Sequence, residues 1–156
     1  MVKPAISASG YRTYSMPTAA AAQPIDEAAA HGDFLLQPFM REIQQGGEAS
    51  MIYFNHEFSH AVMKRPGESE FRVQKEYGGH EVPWDPPREV IETGKSILSK
   101  VGSTVLYARV DGVISNGEFL LMELELVEPD LFLTKGDGAG ERFAENLVNA
   151  WVAWSN

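Results

Sequence analysis

Apolar and polar residues follow two different periods in the second half of the chain. Segments 104–114 and 118–127 alternate apolar and polar side chains over 107–111 and 122–126, which is the period of a β-strand, and Asn116-Gly117 between them favours a hairpin turn. Segments 88–101 and 139–153 instead gather their apolar residues on one helical face. In the second of these predicted helices we expect Trp151 and Trp154 to lie in the core.

The first half has shorter apolar runs, which predict strands separated by turns. Pro66-Gly67 favours a turn between the last two of these candidate strands. The candidate strands are 34–37, 51–54, 61–64 and 71–74. Short strands followed by a helix, a hairpin and a closing helix predict an α+β fold.

Composition narrows the class of protein. The chain has 156 residues, of which 44% are hydrophobic and 22% charged, which is typical of a globular domain with a core. The net charge of -9 argues against a nucleic-acid-binding surface, which would need clustered Lys and Arg. The absence of cysteine excludes disulfides and thiol chemistry, and no apolar run is long enough to span a bilayer. We therefore expect a cytoplasmic protein without membrane partners.

The most informative segment is the acidic strand around Glu123 and Glu125. Alternate residues of a strand share a face, so these two acids point one way and the apolar residues between them point the other way. Adjacent acids repel each other unless they are solvated, protonated or neutralised by a cation. One interpretation is a half-exposed strand with a wet face. The other interpretation is a metal site. It is supported because Arg109 and Asp111 share a face of the preceding strand, and carboxylate oxygens are the ligands that Mg²⁺ prefers.

A metal shared by Asp111 and Glu123 requires both side chains to lie on the same face of the hairpin. A two-residue turn at Asn116-Gly117 would pair Asp111 with Met122 and send Glu123 to the opposite face. A three-residue loop would set Asp111 opposite Leu121 and would place all the polar residues on one face. We therefore predict an odd-length loop or a β-bulge, against the local preference of Asn-Gly.

Arg109-Val110-Asp111 followed by Glu123-Leu124-Glu125 resembles the metal-binding strand pair of ATP-grasp enzymes, such as D-alanine–D-alanine ligase and bacterial glutathione synthetase. The resemblance implies an ATP- and Mg²⁺-dependent (Mn²⁺ is possible), ADP-forming carboxylate–amine ligase that acts through an acyl-phosphate. Asp111 and Glu123 would bind the metal, together with Glu125 at a position that is usually asparagine. Glu125 keeps an oxygen ligand but adds a negative charge.

Other segments resemble the family in the same order along the chain. Catalytic roles are implied for Arg72, at the γ-phosphate, and for Arg109. The implied nucleotide contacts are Lys3 and the loop residue Ser9 at the phosphates, Gln37, Phe39 and Met40 at the adenine, Glu48 at the ribose, and Lys64 in an assisting role.

The resemblance also implies a domain organisation. Residues 1–32 would be a remnant of the small lid lobe, and residues 33–156 the large nucleotide- and metal-binding lobe. Because complete enzymes of this family have a further domain before the lid, we expect an N-terminally truncated fragment that is inactive alone. The substrates would be ATP, a small carboxylate and an amine, while the oligomeric state stays open. The alternatives are another ATP-grasp chemistry, including the ring-forming ligation of cycloserine biosynthesis, or a non-catalytic nucleotide-binding or interaction domain.

A third alternative, a zinc hydrolase, rests on His56-Glu57-Phe58-Ser59-His60, which matches the H-E-x-x-H motif. That chemistry requires a helix, so that both histidines share one face. The flanking apolar residues favour strands instead. We therefore predict a loop or hairpin with surface histidines.

Overall fold

A computed structural model describes residues 1–6, 12–15, 25–26, 30, 32–68, 70 and 72–155. Its strands are β1 (Val2–Pro4), β2 (Phe34–Leu36), β3 (Glu48–Phe54), β4 (Glu57–Arg65), β5 (His80–Trp84), β6 (Tyr107–Ser115) and β7 (Glu118–Glu125). Its helices are α1 (Glu42–Gly46), α2 (Arg88–Leu98) and α3 (Ala139–Trp154), with a 3₁₀ turn at Lys75–Tyr77. The predicted α+β class is confirmed.

The strands form two antiparallel sheets in the described part of the chain. A small sheet pairs β1 with β2, and a five-stranded sheet has the order β5-β4-β3-β6-β7. β3 is the central strand, and every residue from 49 to 54 is buried because both of its faces are covered. None of the described helices combines the length and the apolar character needed to cross a membrane.

The two faces of the large sheet have different partners. On one face, Met51 and Tyr53 pack against α2, and the Tyr53 hydroxyl donates a hydrogen bond of 3.0 Å to the Ile91 carbonyl. This close approach requires Gly94, because a Cβ there would lie 2.0 Å from the Tyr53 oxygen. On the other face, Ile52 and Phe132 belong to a second apolar cluster. Arg109 lies directly opposite Ile52 in the β3–β6 pairing, so the polar groups Arg109 and Asp111 lie on this second face, away from α2.

The predicted strand 71–74 is wrong. Its described residues 72–74 lie in a loop, and the strand that follows β4 in the chain and pairs with its outer edge is β5. Val73 is buried, which explains the apolar pattern, but Gly79 donates its N–H to the Gln74 carbonyl and closes the loop on itself. A buried apolar side chain in a compact loop therefore produced a strand-like pattern.

The expectation that Trp151 and Trp154 lie in the core is also wrong. Helix α3 forms at the expected place, and Phe143 packs against Phe54 with ring centroids 5.3 Å apart. Towards its end the helix leaves the sheet, so that Trp151 is 70% and Trp154 77% exposed. Periodicity identified the apolar face correctly, but none of the described residues covers that face over the last turns of the helix.

Candidate functional site

The site is built on the β6–β7 hairpin, where one extra residue in β7 brings Asp111 and Glu123 to the same face of the sheet. The turn has two residues, Asn116 and Gly117, both with positive φ, and it pairs Ser115 with Glu118. The register then shifts, so that Gly112 lies opposite Leu121 while Asp111 lies opposite Glu123. Met122 is left between these two pairs as a bulge.

This bulge confirms the prediction of an irregular hairpin, although the alternative of an odd-length loop is wrong. Residues directly opposite each other share a face of the sheet. Asp111 and Glu123 therefore project on the same side, and Arg109 lies opposite Glu125 on that side. Oxygen atoms of Asp111, Glu123 and Glu125 lie within 4.8 Å of one another.

Arg109 links two of these three carboxylates. Its Nε donates to Asp111 Oδ1 at 3.0 Å, and its Nη2 donates to Asp111 Oδ2 at 3.0 Å and to Glu125. A third contact, from Nη1 to the Asp130 carbonyl at 3.2 Å, fixes the guanidinium to the segment after β7. Arg109 is thus held in one orientation by partners on three sides.

Lys64 connects this group to β3. Its Nζ donates to Glu48 Oε1 at 3.0 Å and to Asp111 Oδ2 at 3.0 Å. Glu48 lies directly opposite Lys64 in the β3–β4 pairing, which sets this contact. The predicted ribose residue and a predicted metal ligand therefore share one lysine.

Burial and the neighbouring cations act in opposite directions on the pKa values of the acids. Burial, the largest influence on Asp111, would raise its pKa, but Lys64 and Arg109 together bring that pKa below its ordinary value. Burial likewise opposes the charge on Lys64, yet Glu48 and Asp111 raise its pKa. Burial raises the pKa of Glu125, and its acidic neighbours add to this against the effect of Arg109. Asp111 is thus an ionised carboxylate at neutral pH, a state that suits a metal ligand.

The donor set fits Mg²⁺ or Mn²⁺. All three groups are carboxylates, and their oxygens converge on one face beside solvent, since the Glu123 side chain is 49% exposed. Hard divalent cations of this size prefer oxygen ligands and keep some sites for water or phosphate. Metal binding by the three residues stays a prediction.

Lys3 extends the group to the small sheet. Its Nζ lies 3.3 Å from Glu123 Oε1, and it comes from β1. Counted over the described chain, this network holds three cations, Lys3, Lys64 and Arg109, and four carboxylates, Glu48, Asp111, Glu123 and Glu125.

The other predicted residues are less tightly grouped. Arg72 forms hydrogen bonds with Glu70 and lies with its Cζ 3.4 Å from the Tyr77 ring centroid, which anchors it within its own loop. The main chain of Gln37 is bonded in both directions to Met1. Phe39 and Met40 are half-buried between β2 and α1. Ser9 lies outside the described residues.

Two residues of this region were missed by the reasoning from sequence. Ser50 is fully buried and lies directly opposite Asp111 in the β3–β6 pairing. Asp130 contributes through its carbonyl. A pairing register could have identified Ser50, whereas a main-chain acceptor leaves no trace in the sequence.

The H-E-x-x-H segment forms a hairpin rather than a helix, which confirms the prediction. Asn55 and His56 form the turn between β3 and β4, both with positive φ, and the motif continues into β4. His60 accepts a hydrogen bond at Nδ1 from the Ser59 hydroxyl at 2.9 Å and donates from Nε2 to the Leu131 carbonyl at 2.9 Å. Both ring nitrogens are thus engaged. The expectation that both histidines lie at the surface is wrong for His60, which is 7% exposed.

Comparisons with known proteins bear on this arrangement. No protein-family model and no curated protein sequence matches the chain. Among solved structures, it is similar to D-cycloserine synthetase DcsG, with a TM-score of 0.79, 21% identity, and coverage of 96% of this chain and 54% of that one. It is also similar to D-alanine–D-alanine ligase from Bacillus anthracis complexed with ATP, with a TM-score of 0.51, 21% identity and coverage of 73% and 38%.

A second structure of D-alanine–D-alanine ligase from Bacillus anthracis gives a TM-score of 0.55 at 20% identity, covering 79% of this chain and 44% of that one. The chain therefore spans about half the length, or less, of the structures that it matches. At these identities the likeness concerns the fold. The matched proteins are ATP-grasp carboxylate–amine ligases, and the chain has the ATP-grasp fold.

Proposed function

We propose that this chain carries the nucleotide- and metal-binding part of an ADP-forming carboxylate–amine ligase that depends on ATP and Mg²⁺ and acts in the cytoplasm. The observation that supports this most is the bulged hairpin. It sets Asp111, Glu123 and Glu125 beside Arg109, on the face that Lys3 reaches from the small sheet. Carboxylates for a metal and cations for phosphates then lie side by side.

Each side chain has a distinct role in the proposal. Asp111, Glu123 and Glu125 would hold Mg²⁺, which when bound neutralises charge on the transferring phosphoryl group. Lys3 would contact the phosphates. Arg109 would stabilise the acyl-phosphate after Glu125 turns to the metal, because in this structure Asp111, Glu125 and the Asp130 carbonyl take up most of its N–H donors.

The remaining contacts concern the nucleotide. Glu48 would bind the ribose hydroxyls through the carboxylate oxygen that Lys64 does not hold. The adenine contacts would come from Gln37, Phe39 and Met40, which lie between β2 and α1. Arg72 would reach the γ-phosphate only after a rearrangement of its contacts with Glu70.

The reaction proceeds in two transfers. A substrate carboxylate oxygen attacks the γ-phosphorus, the bond to the ADP oxygen breaks, and an acyl-phosphate forms. An amine nitrogen then attacks the acyl carbon, inorganic phosphate leaves, and the nitrogen loses a proton. Neither step needs a side-chain nucleophile, which agrees with a chain that has no cysteine.

Two kinds of ligation product are compatible with this proposal. A glutathione synthetase-like enzyme would join two substrates through an amide bond. A ring-forming ligation like that of D-cycloserine synthetase is favoured by the higher TM-score and by the coverage of 96% of this chain in that comparison. In either case Asp111, Glu123 and Glu125 would hold the metal, and the two reactions differ in the acceptor.

Calorimetric titration with ATP, with and without Mg²⁺, tests the proposal at the level of binding. We expect measurable affinity that depends on the metal, and absence of nucleotide binding under both conditions would contradict the proposal. Hydroxylamine, added with ATP and a panel of amino acids, tests the chemistry because it traps acyl-phosphates as hydroxamates. A trapped hydroxamate would establish acyl-phosphate chemistry and would contradict the expectation that the chain is inactive alone. Nucleotide binding that does not depend on Mg²⁺ would favour a non-catalytic nucleotide-binding domain.

A further inference from the structure

The ion pair between Lys3 and Glu123 connects two parts of the site that lie 120 residues apart in the chain. Nζ and Oε1 are 3.3 Å apart, and the side chains are 18% and 49% exposed. Lys3 belongs to the small sheet, whereas Glu123 belongs to the edge strand of the large sheet. The pair therefore brings the proposed phosphate lysine onto a proposed metal ligand.

Glu123 differs from the other two acids in how it is neutralised. Asp111 is fully buried and contacts both Lys64 and Arg109, and Glu125 contacts Arg109. These cations are held by several partners within the large sheet. The Lys3 side chain is 18% exposed and pairs with the half-exposed Glu123, whereas the Lys64 side chain is 12% exposed and its ammonium is shared between Glu48 and Asp111. Lys3 is the cation of this group that can leave most easily.

A divalent metal at the three carboxylates would compete directly with Lys3. The metal needs an oxygen of Glu123, and two cations placed side by side repel each other in a partly buried site. The phosphates of a nucleotide remove this conflict, because they offer Lys3 a new anionic partner while also binding the metal. The same lysine thus opposes the metal alone and favours the metal–nucleotide complex.

We infer that Lys3 occupies the metal site of the nucleotide-free protein as an internal cation and moves from Glu123 to the phosphates when the metal–nucleotide complex binds. This exchange makes the site selective for the metal–nucleotide complex over the free metal. The inference rests on the proposed function, since it assumes that Asp111, Glu123 and Glu125 bind metal.

The test compares wild type with Lys3→Met, which keeps an unbranched side chain one atom shorter and removes its charge. Free Mn²⁺ is followed by its electron paramagnetic resonance signal, and binding of Mn²⁺·ATP by calorimetry. We expect Lys3→Met to bind Mn²⁺ alone about two- to fivefold more tightly, the size expected for losing a partly exposed competing ion pair. The same variant should bind Mn²⁺·ATP more weakly, so the two effects have opposite signs.

Two further variants serve as controls. Lys3→Arg keeps the charge and should keep the weak binding of Mn²⁺ alone. Lys95→Met removes a lysine whose partner is the exposed Glu57, on another part of the molecule, and should change neither affinity. A general loss of structure in Lys3→Met would weaken both ligands together and cannot produce opposite changes.

The outcomes separate the inference from the proposed function. If Mn²⁺ binds wild type and Lys3→Met equally well, or binds the variant more weakly, the role of Lys3 is overturned while the metal site stands. If neither protein binds Mn²⁺ with or without ATP, the metal site itself is overturned, and the inference with it.

Discussion

Asp111 lies directly opposite Glu123 across the β6–β7 pair, and Met122, the residue before Glu123, has no partner on β6. The two-residue turn alone would have paired Asp111 with Met122. Because side chains alternate between faces, one extra residue moves Glu123 and every residue that follows it to the other face. The bulge therefore decides on which side of the sheet the acids lie.

The first prediction concerns metal dependence. Glu123→Gln removes one negative charge from the three carboxylates while keeping the size of the side chain. We expect the gain in nucleotide affinity caused by Mg²⁺ to fall about tenfold or more, since even indirect partners of metal ligands contribute that much. Calorimetry over a series of Mg²⁺ concentrations measures this gain.

Glu118→Gln is the matched control for that experiment. Glu118 is exposed on the same strand but next to the turn, where it pairs with Ser115. Its substitution should leave the effect of Mg²⁺ unchanged. An equal effect of Mg²⁺ in wild type and Glu123→Gln would count against Glu123 as a ligand.

The second prediction concerns the bulge itself. A Cβ added at Gly112 would lie 2.4 Å from the Leu120 carbonyl oxygen and 2.4 Å from Cζ of Phe119. Since main chain and a packed ring cannot yield easily, we expect Gly112→Ala to lower the free energy of unfolding by about 1–3 kcal/mol. Urea denaturation measures this change.

Gly140→Ala provides the comparison, because a Cβ at this helical position meets nothing within 4 Å. It should be neutral or should raise the free energy of unfolding by up to about 1 kcal/mol, through the better helix propensity of alanine. If the two variants were equally stable, the close packing at Gly112 would not hold in solution.

The sequence carried local information well and information about distant contacts poorly. Strand alternation gives the face on which Asp111 and Glu123 lie for each type of turn, and a shared metal requires both on one face. The bulge could be predicted for that reason. The Lys3–Glu123 contact joins residues 120 positions apart, and no local pattern indicates it. The register that sets Lys64 between Glu48 and Asp111 likewise depends on which strands become neighbours.

The wrong predictions have a common physical origin. Hydrophobic patterns report which side chains avoid water, but not what covers them. Val73 is buried within a loop, although its pattern resembled a strand. In α3 the apolar period continues beyond the point where the helix leaves the sheet.

The third prediction concerns pH and His60. Burial lowers the pKa of His60 below its ordinary value, and the nearby Arg142 acts in the same direction. The folded state therefore prefers the neutral ring. Its contribution to stability is complete above about pH 6.5, the value of an unfolded histidine, and is lost as the pH falls towards the lower folded value.

Urea denaturation at several pH values between about 5 and 8 tests this, with His60→Gln as the reference. Glutamine can still donate to the Leu131 carbonyl but does not titrate. Wild type should lose more stability than the variant on acidification. Parallel pH profiles of the two proteins would show that His60 is not held neutral by the fold.

The fourth prediction concerns the end of α3. Trp151 and Trp154 are mostly exposed, so replacing either one by Ser should change the free energy of unfolding by less than about 0.5 kcal/mol. Leu98 is fully buried between α2 and the sheet, and Leu98→Ala should cost about 2–5 kcal/mol.

Fluorescence quenching by iodide should be strong in wild type and much weaker in the double tryptophan variant, where only the half-buried Trp84 emits. A cost for Trp151→Ser as large as that for Leu98→Ala would mean that another surface covers this end of the helix, because an exposed indole has no comparable packing to lose.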